Sequence, residues 1–329
     1  MPIIVAGTKY KDRFTIEPDR DYGPPGSYRP SYQTTGPDPS IPLTTLTQNV
    51  TLSTPGQILQ NVDVHGKISV TAANVTIRNC IARGRVSTGS EWCIQATNAA
   101  VKNLRIEYTR ILPEFPGDFT NGVGGHDFTL FRSDIQDCVD PVDPFNAVGQ
   151  AGQPLNIVID QNWMHDLLYW TPDAHADGQT HNDIVQIQGG TGLIMRGNSV
   201  EAYYGSRGTH QPALDASPTP SGAPNLSLSC VLLNSGGSFG ATGGHVFEDN
   251  WFMGGFQPLN FGGGGAGANL GRAWRNRFSR DAHQPADSHP SDPWTIVVRA
   301  DQTLDTGDGT PNQNVYDDNG SPIYVRHNG

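Results

Sequence analysis

The chain has 329 residues, a formal net charge of −11 and 36% hydrophobic residues, with 39 glycines and 25 prolines. An acidic surface repels phosphate backbones and anionic lipid, which argues against nucleic-acid partners and membrane insertion, and no apolar run approaches the roughly 18 residues of a membrane span. Helical periodicity is nearly absent, so the composition points to an all-β chain with many turns.

Residues 1–45 carry no strand period and are rich in Pro, Tyr and charge (DYGPPGSYRPSYQ, GPDPSIP). They read as an extended N-terminal arm. Such an arm is either a disordered leader or a docking segment, in which Tyr22, Tyr28 and Tyr32 offer apolar area with polar tips. The opening MPIIVAGTKYKDR lacks the pattern of a Sec signal peptide.

From about residue 50 a template repeats: apolar-x-apolar-x-x-polar-x-apolar. It appears as Leu104, Ile106, Thr109, Ile111 and as Phe128, Leu130, Ser133, Ile135. It returns as Ile157, Ile159, Asn162, Met164 and as Leu193, Met195, Asn198, Val200, with a weaker copy at His245, Phe247, Asn250, Phe252. Contracted copies run Val75, Ile77, Asn79, Ile81 and, near the far end, Trp274, Asn276, Phe278. Alternation inside each copy is that of a half-buried strand, and a recurring unit of this size is the signature of a solenoid. The polar slot, most often Asn, suits a bend between strands: Asn tolerates left-handed backbone, and its amide can bond its counterpart one coil away. The expected fold is an all-β right-handed parallel β-helix over 46–282, closed by an irregular C-terminal segment or cap over 283–329.

Two insertions interrupt the repeat, LLYWTPDAHADGQTHND and YYGSRGTHQPALDASPTPSGAP. Both leave soon after the polar slot, so both should emerge from one edge, and solenoid insertions tend to form the binding face. The first holds the densest polar cluster: Asp166, Asp173, His175, Asp177, His181 and Asp183, beside Tyr169 and Trp170. Three readings compete. Glycan hydrolysis needs two carboxyls about one bond, for which Asp177 and Asp183 are the candidate pair with His181 orienting or transferring a proton. Tyr169 and Trp170 would then stack on sugar, with Asp173 and His175 contacting it. Asp140 and Asp143, in CVDPVDPF one coil earlier, could lie below that pair, and Arg207 with His210 in the second insertion could meet acidic sugars. Alternatively the aspartates and histidines ligate Ca²⁺ or a transition metal, although no EF-hand or HExxH spacing is present. The third reading is an ordered loop whose Asp and His side chains cap turns, with Asp183 pointing inward in step with Val185 and Ile187.

Cys80, Cys93, Cys138 and Cys230 form no CxxC pair, which argues against a thiolate zinc site; buried free thiols or a disulfide between neighbouring coils are the alternatives. The glycine-rich run 262–271 lacks the Lys and Ser/Thr of a phosphate-binding loop and reads as a turn.

The runs AANVTIRNC (72–80), LNIVIDQNWMHDL (155–167), HADGQTHNDIVQIQGG (175–190) and GLIMRGNSV (192–200) resemble right-handed parallel β-helix proteins of the pectate-lyase-like superfamily. Among these they are similar to minor tail proteins of phages that infect actinobacteria. The resemblance implies a virion component, assembled in the host cytoplasm and associated as a trimer. It would be attached to other tail proteins and present its solenoid to host-surface polysaccharide for binding or degradation. Neither the Arg/Lys-plus-Ca²⁺ arrangement of pectate lyases nor the Asp-Asp and Gly-His-Gly motifs of polygalacturonase-like hydrolases can be mapped onto this chain, so no catalytic residue is carried over. A free extracellular polysaccharide lyase or hydrolase, and a purely structural virion component, are the alternative roles.

Overall fold

A computed structural model describes residues 28–84, 91–146, 152–169, 180–203, 228–234, 240–263, 265–280, 295–323 and 325–328. Its strands form three long parallel sheets wound as a right-handed β-helix. Two have ten strands and one has nine, and each strand pairs with its counterparts in the coils before and after. Along the chain one coil runs through sheet C, then A, then B. An example is Phe128–Phe131 in C, Asp134–Ile135 in A and Val142–Pro144 in B. Among the described residues no helix is long and apolar enough to cross a membrane. Residues 283–329, expected to be irregular, instead contribute strands to all three sheets, at Ile296–Arg299, Thr303–Asp305, Val315–Tyr316 and Arg326–Asn328.

The repeated template is the C strand, a short bend and the A strand. Its apolar slots stack in register, so Leu104 lies against Phe128, and Ile106 against Leu130 and then Ile159. These side chains are fully buried, as are Phe247 and Phe252, and each contributes roughly 1.5–3 kcal/mol by leaving water.

The polar slot is a ladder. Asn162, Asn198, Asn250, Asn276 and Asn314 have no exposed surface. Each Nδ2 donates to the next Oδ1, at 3.0, 2.8, 3.0 and 2.9 Å in turn. The same Oδ1 atoms accept the backbone N–H of the preceding asparagine, and each second amide hydrogen goes to a backbone carbonyl such as Met195 O or Phe247 O. The amide pairing matches the expectation; the backbone does not. The left-handed residue is the one before the inward slot, at Gln161, Asp249 and Arg275, and register puts Asn61 and Asn79 in that same place. The bend has one length throughout, Arg78 to Ile81 matching Glu107 to Arg110, so the copy expected to be contracted around Asn79 is a full one, with Cys80 in the inward slot and Ala82 after it.

From Tyr28 the arm lies along its own column, on the outer face of sheet A. Arg29 donates to Glu201 Oε1 at 2.7 Å, Gly36 N–H to Arg132 O at 2.9 Å, and Asp38 N–H to Asn79 Oδ1 at 2.6 Å. Tyr32 is 65% exposed, and Tyr22 lies outside the described residues. Beneath this strap His165 bonds Asp134 at 3.0 Å and Asp166 at 2.7 Å, stacked on Trp163. Burial alone would push the His165 pKa down, but the two carboxylates outweigh it and raise it to about 9.

Two outcomes follow for stability. Asn250→Ala strands buried donors and an acceptor in the coils on both sides, so it should cost about 2–4 kcal/mol, read from urea unfolding with an unchanged slope. His165 binds its proton more tightly folded than unfolded, so its contribution is complete below about pH 6.5 and disappears as pH rises through about 9. In wild type minus His165→Gln, the stability difference measured by urea unfolding should therefore shrink between those two values.

Candidate functional site

The insertion ends lie side by side. Both leave sheet A and return into sheet B, with Leu167 N–H donating to Tyr203 O at 2.8 Å on the outgoing side. On the return side Asn182 pairs with Leu228 and Asp183 with Ser229. The neighbouring part of the sheet B face carries Asp140, Asp143 and Asp183, all buried.

Strand register brings them together. Val142 pairs with Val185, which sets Asp140, two residues before its strand, level with Asp183, and the Asp183 N–H donates to Asp140 Oδ1 at 2.9 Å. Asp183 does not alternate with Val185 and Ile187 as expected. Ile184 and Val185 both enter the core, the alternation breaks there, and Gln186 Nε2 lies 3.5 Å from Asp183 Oδ2. Gln188 Nε2 then donates to Gln186 Oε1 at 2.6 Å and to Asp143 Oδ1 at 3.0 Å. A run of side-chain amides thus links two carboxyls.

Asp143 Oδ2 accepts from Trp92 Nε1 at 2.9 Å and from Asn121 Nδ2 at 3.2 Å. Asn121 also accepts the Asp140 N–H at 3.2 Å, so one side chain braces two of the three acids. The indole reaches Asp143 by crossing Gly124, where an added Cβ would stand 2.2 Å from Trp92 Nε1. Glycine is required at that position for space.

Burial raises all three carboxyl pKa values, because each charged form has lost its water. For Asp140 the charges of Asp143 and Asp183 push further, and it rises well above the usual range. Asp143 is raised by burial against the pull of its three hydrogen-bond donors, Trp92, Asn121 and Gln188. Asp183 is pushed up to about 7 by burial, opposed by hydrogen bonds from Ser229 and Gln186 and aided by the Asp143 charge. Three like charges at such separation in a buried site cannot all ionise at neutral pH, so the cluster retains protons there.

Of the residues singled out in the sequence, the structure gathers Asp140, Asp143 and Asp183. His181 is half-buried just before the Asn182–Gln188 strand. Tyr169 packs into the hydrophobic core and has no open ring face for a sugar, and Asp166 belongs to the His165 network on sheet A. Trp170, Asp173, His175, Asp177, Arg207 and His210 lie outside the described residues. Trp92, Asn121, Gln186, Gln188 and Ser229 were missed, and cross-strand register is the signal that would have found them. Among the described residues no three His, Cys, Asp or Glu side chains are placed to hold a metal ion. The four cysteines are free and buried. Comparisons with protein-family models, curated proteins and solved structures find no match.

Gly124→Ala should expel the indole and remove one donor from Asp143. The expected readouts are a shifted tryptophan emission maximum and a changed near-ultraviolet circular dichroism band, with the far-ultraviolet spectrum intact. Unchanged tryptophan signals would mean that the ring does not cross Gly124.

Proposed function

We propose that this protein is a polysaccharide-binding solenoid that cleaves glycosidic bonds with the sheet B carboxyls, carried on a bacteriophage tail and directed at the host envelope. What supports cleavage is the set Asp140, Asp143 and Asp183 on one face, with the Asp183 N–H on Asp140 and burial raising all three carboxyls, Asp183 to about 7; in this reading Asp183 holds a proton while Asp143 is ionised. Glycoside hydrolysis requires that division, with one acid to protonate the leaving oxygen and one carboxylate to activate water or stabilise the developing cation. Asp183, with a pKa of about 7, is the general acid in this reading. Asp143, which accepts three hydrogen bonds from neutral donors, is best suited to carry the charge. Asp140 acts through them, holding the Asp183 backbone and keeping its own proton.

The virion setting rests on the resemblance of the coil sequences to phage minor tail proteins. A β-helix suits it, because every strand is bonded on both sides and the column presents a rigid face to a long polymer.

Asp183→Asn and Asp143→Asn should each lower the release of reducing ends from host-envelope polysaccharide by about 10²–10⁴-fold, with the polymer still bound and the fold retained. The wild-type rate should fall above about pH 7 as Asp183 loses its proton. A variant that cleaves at the wild-type rate would remove the assignment.

A further inference from the structure

The six successive sheet B strands from Glu91–Ala96 to Leu259–Gly263 contain no lysine or arginine. Arginine lies on the other two sheets, at Arg110 and Arg277 on sheet A and at Arg78, Arg105, Arg196 and Arg272 on sheet C, and there it is paired with carboxylates. Arg78 pairs with Glu107 at 2.9 Å, Arg196 with Asp160 at 3.1 Å and Arg272 with Glu248 at 2.6 Å, while Arg105 also contacts Glu107. Lys67, in the turn leading into sheet B, stands 3.8 Å from Glu91.

What sheet B offers is uncharged or acidic, and it is laid out in two rows along the column. One row runs Trp92, Asn121, Asp140, Asp183, Ser229, with all but Trp92 buried. The other runs Gln95, Gly124, Asp143, Gln186, Leu232, Asn260, with Gln188 and Asn234 paired beside it. Successive strands in such a sheet are about 4.8 Å apart, so donors and acceptors recur at the step of one strand along the axis. Side-chain amides and hydroxyls at that spacing suit the hydroxyls of successive sugar rings, and the Trp92 indole supplies an apolar edge.

Charge decides the class of sugar. A uronate or sialate carboxylate laid on this face would meet Asp143 and its neighbours with no cation from the sheet to offset it, in a site where charge is poorly screened.

We propose that sheet B binds a neutral polysaccharide chain laid along the column axis between Trp92 and Asn260, and rejects polyuronates and other acidic polymers. This rests on the polysaccharide reading above and narrows it. The full-length chain would be tested by biolayer interferometry at pH 7 against immobilised neutral polymers (arabinan, galactan, mannan, glucan) and acidic ones (polygalacturonate, polysialate). The expected result is retention of at least one neutral polymer about tenfold or more tightly than either acidic one. Asn234→Ala combined with Asn260→Ala, on the two strands beyond Asp183, should weaken that binding about tenfold with an unchanged melting temperature. An acidic polymer bound as tightly as any neutral one, with its binding lost in Arg207→Ala, would overturn the neutral assignment and leave the polysaccharide reading standing. Retention of none of the polymers would defeat the polysaccharide reading itself, and this inference with it.

Discussion

The structure depends on one constraint, the in-register parallel pairing of each coil with the next. Backbone hydrogen bonds alone would permit a strand to slip, and the buried asparagine ladder prevents it. A slip by one residue would pull Asn198 away from both Asn162 and Asn250 and leave several buried amide groups unpaired, each costing about 1–3 kcal/mol. The apolar stacks set which face is inside; the ladder sets which residue lies over which.

Register then becomes chemistry. Residues distant in sequence share a row because their strands are locked in step, so Trp92, Asn121, Asp140 and Asp183 occupy four successive coils of one face. The same locking holds three buried carboxyls on one face. A solenoid tolerates the electrostatic cost, since each coil is held by the neighbours above and below along a column of buried apolar side chains. The strap from Tyr28 to Asp38 adds a clasp on a different face, where Arg29, Gly36 and Asp38 bond to coils far apart in the chain.

The sequence revealed the sheet C and A strands because their bend has a constant spacing and their apolar slots are large. Sheet B was harder to read. TNGVGG and VDP carry none of the alternation of a half-buried strand, since glycine there makes room for Trp92 and aspartate there serves the site. Asp183 was visible as a candidate, as were Asp140 and Asp143 one coil below, but their partners were not. Nothing local marks Trp92 or Gln188 as neighbours of Asp143, for that contact exists only once about fifty residues have been wound into coils. The tail after residue 282 was misread for a related reason: its strands are short, and the spacing between them no longer follows the template.

The central claim is that Asp140, Asp143 and Asp183 form one coupled acid–base unit. The most direct measurement is a carbon-13 NMR titration of the aspartate carboxyls, in wild type and in Asp183→Asn. One carboxyl should titrate near pH 7 in the wild type and be missing from the variant, with the remaining two shifting downward as a neighbouring charge is removed. If all three titrate between about pH 3 and 4.5, each independently of the others, they are ordinary solvated side chains and the account of the site is wrong.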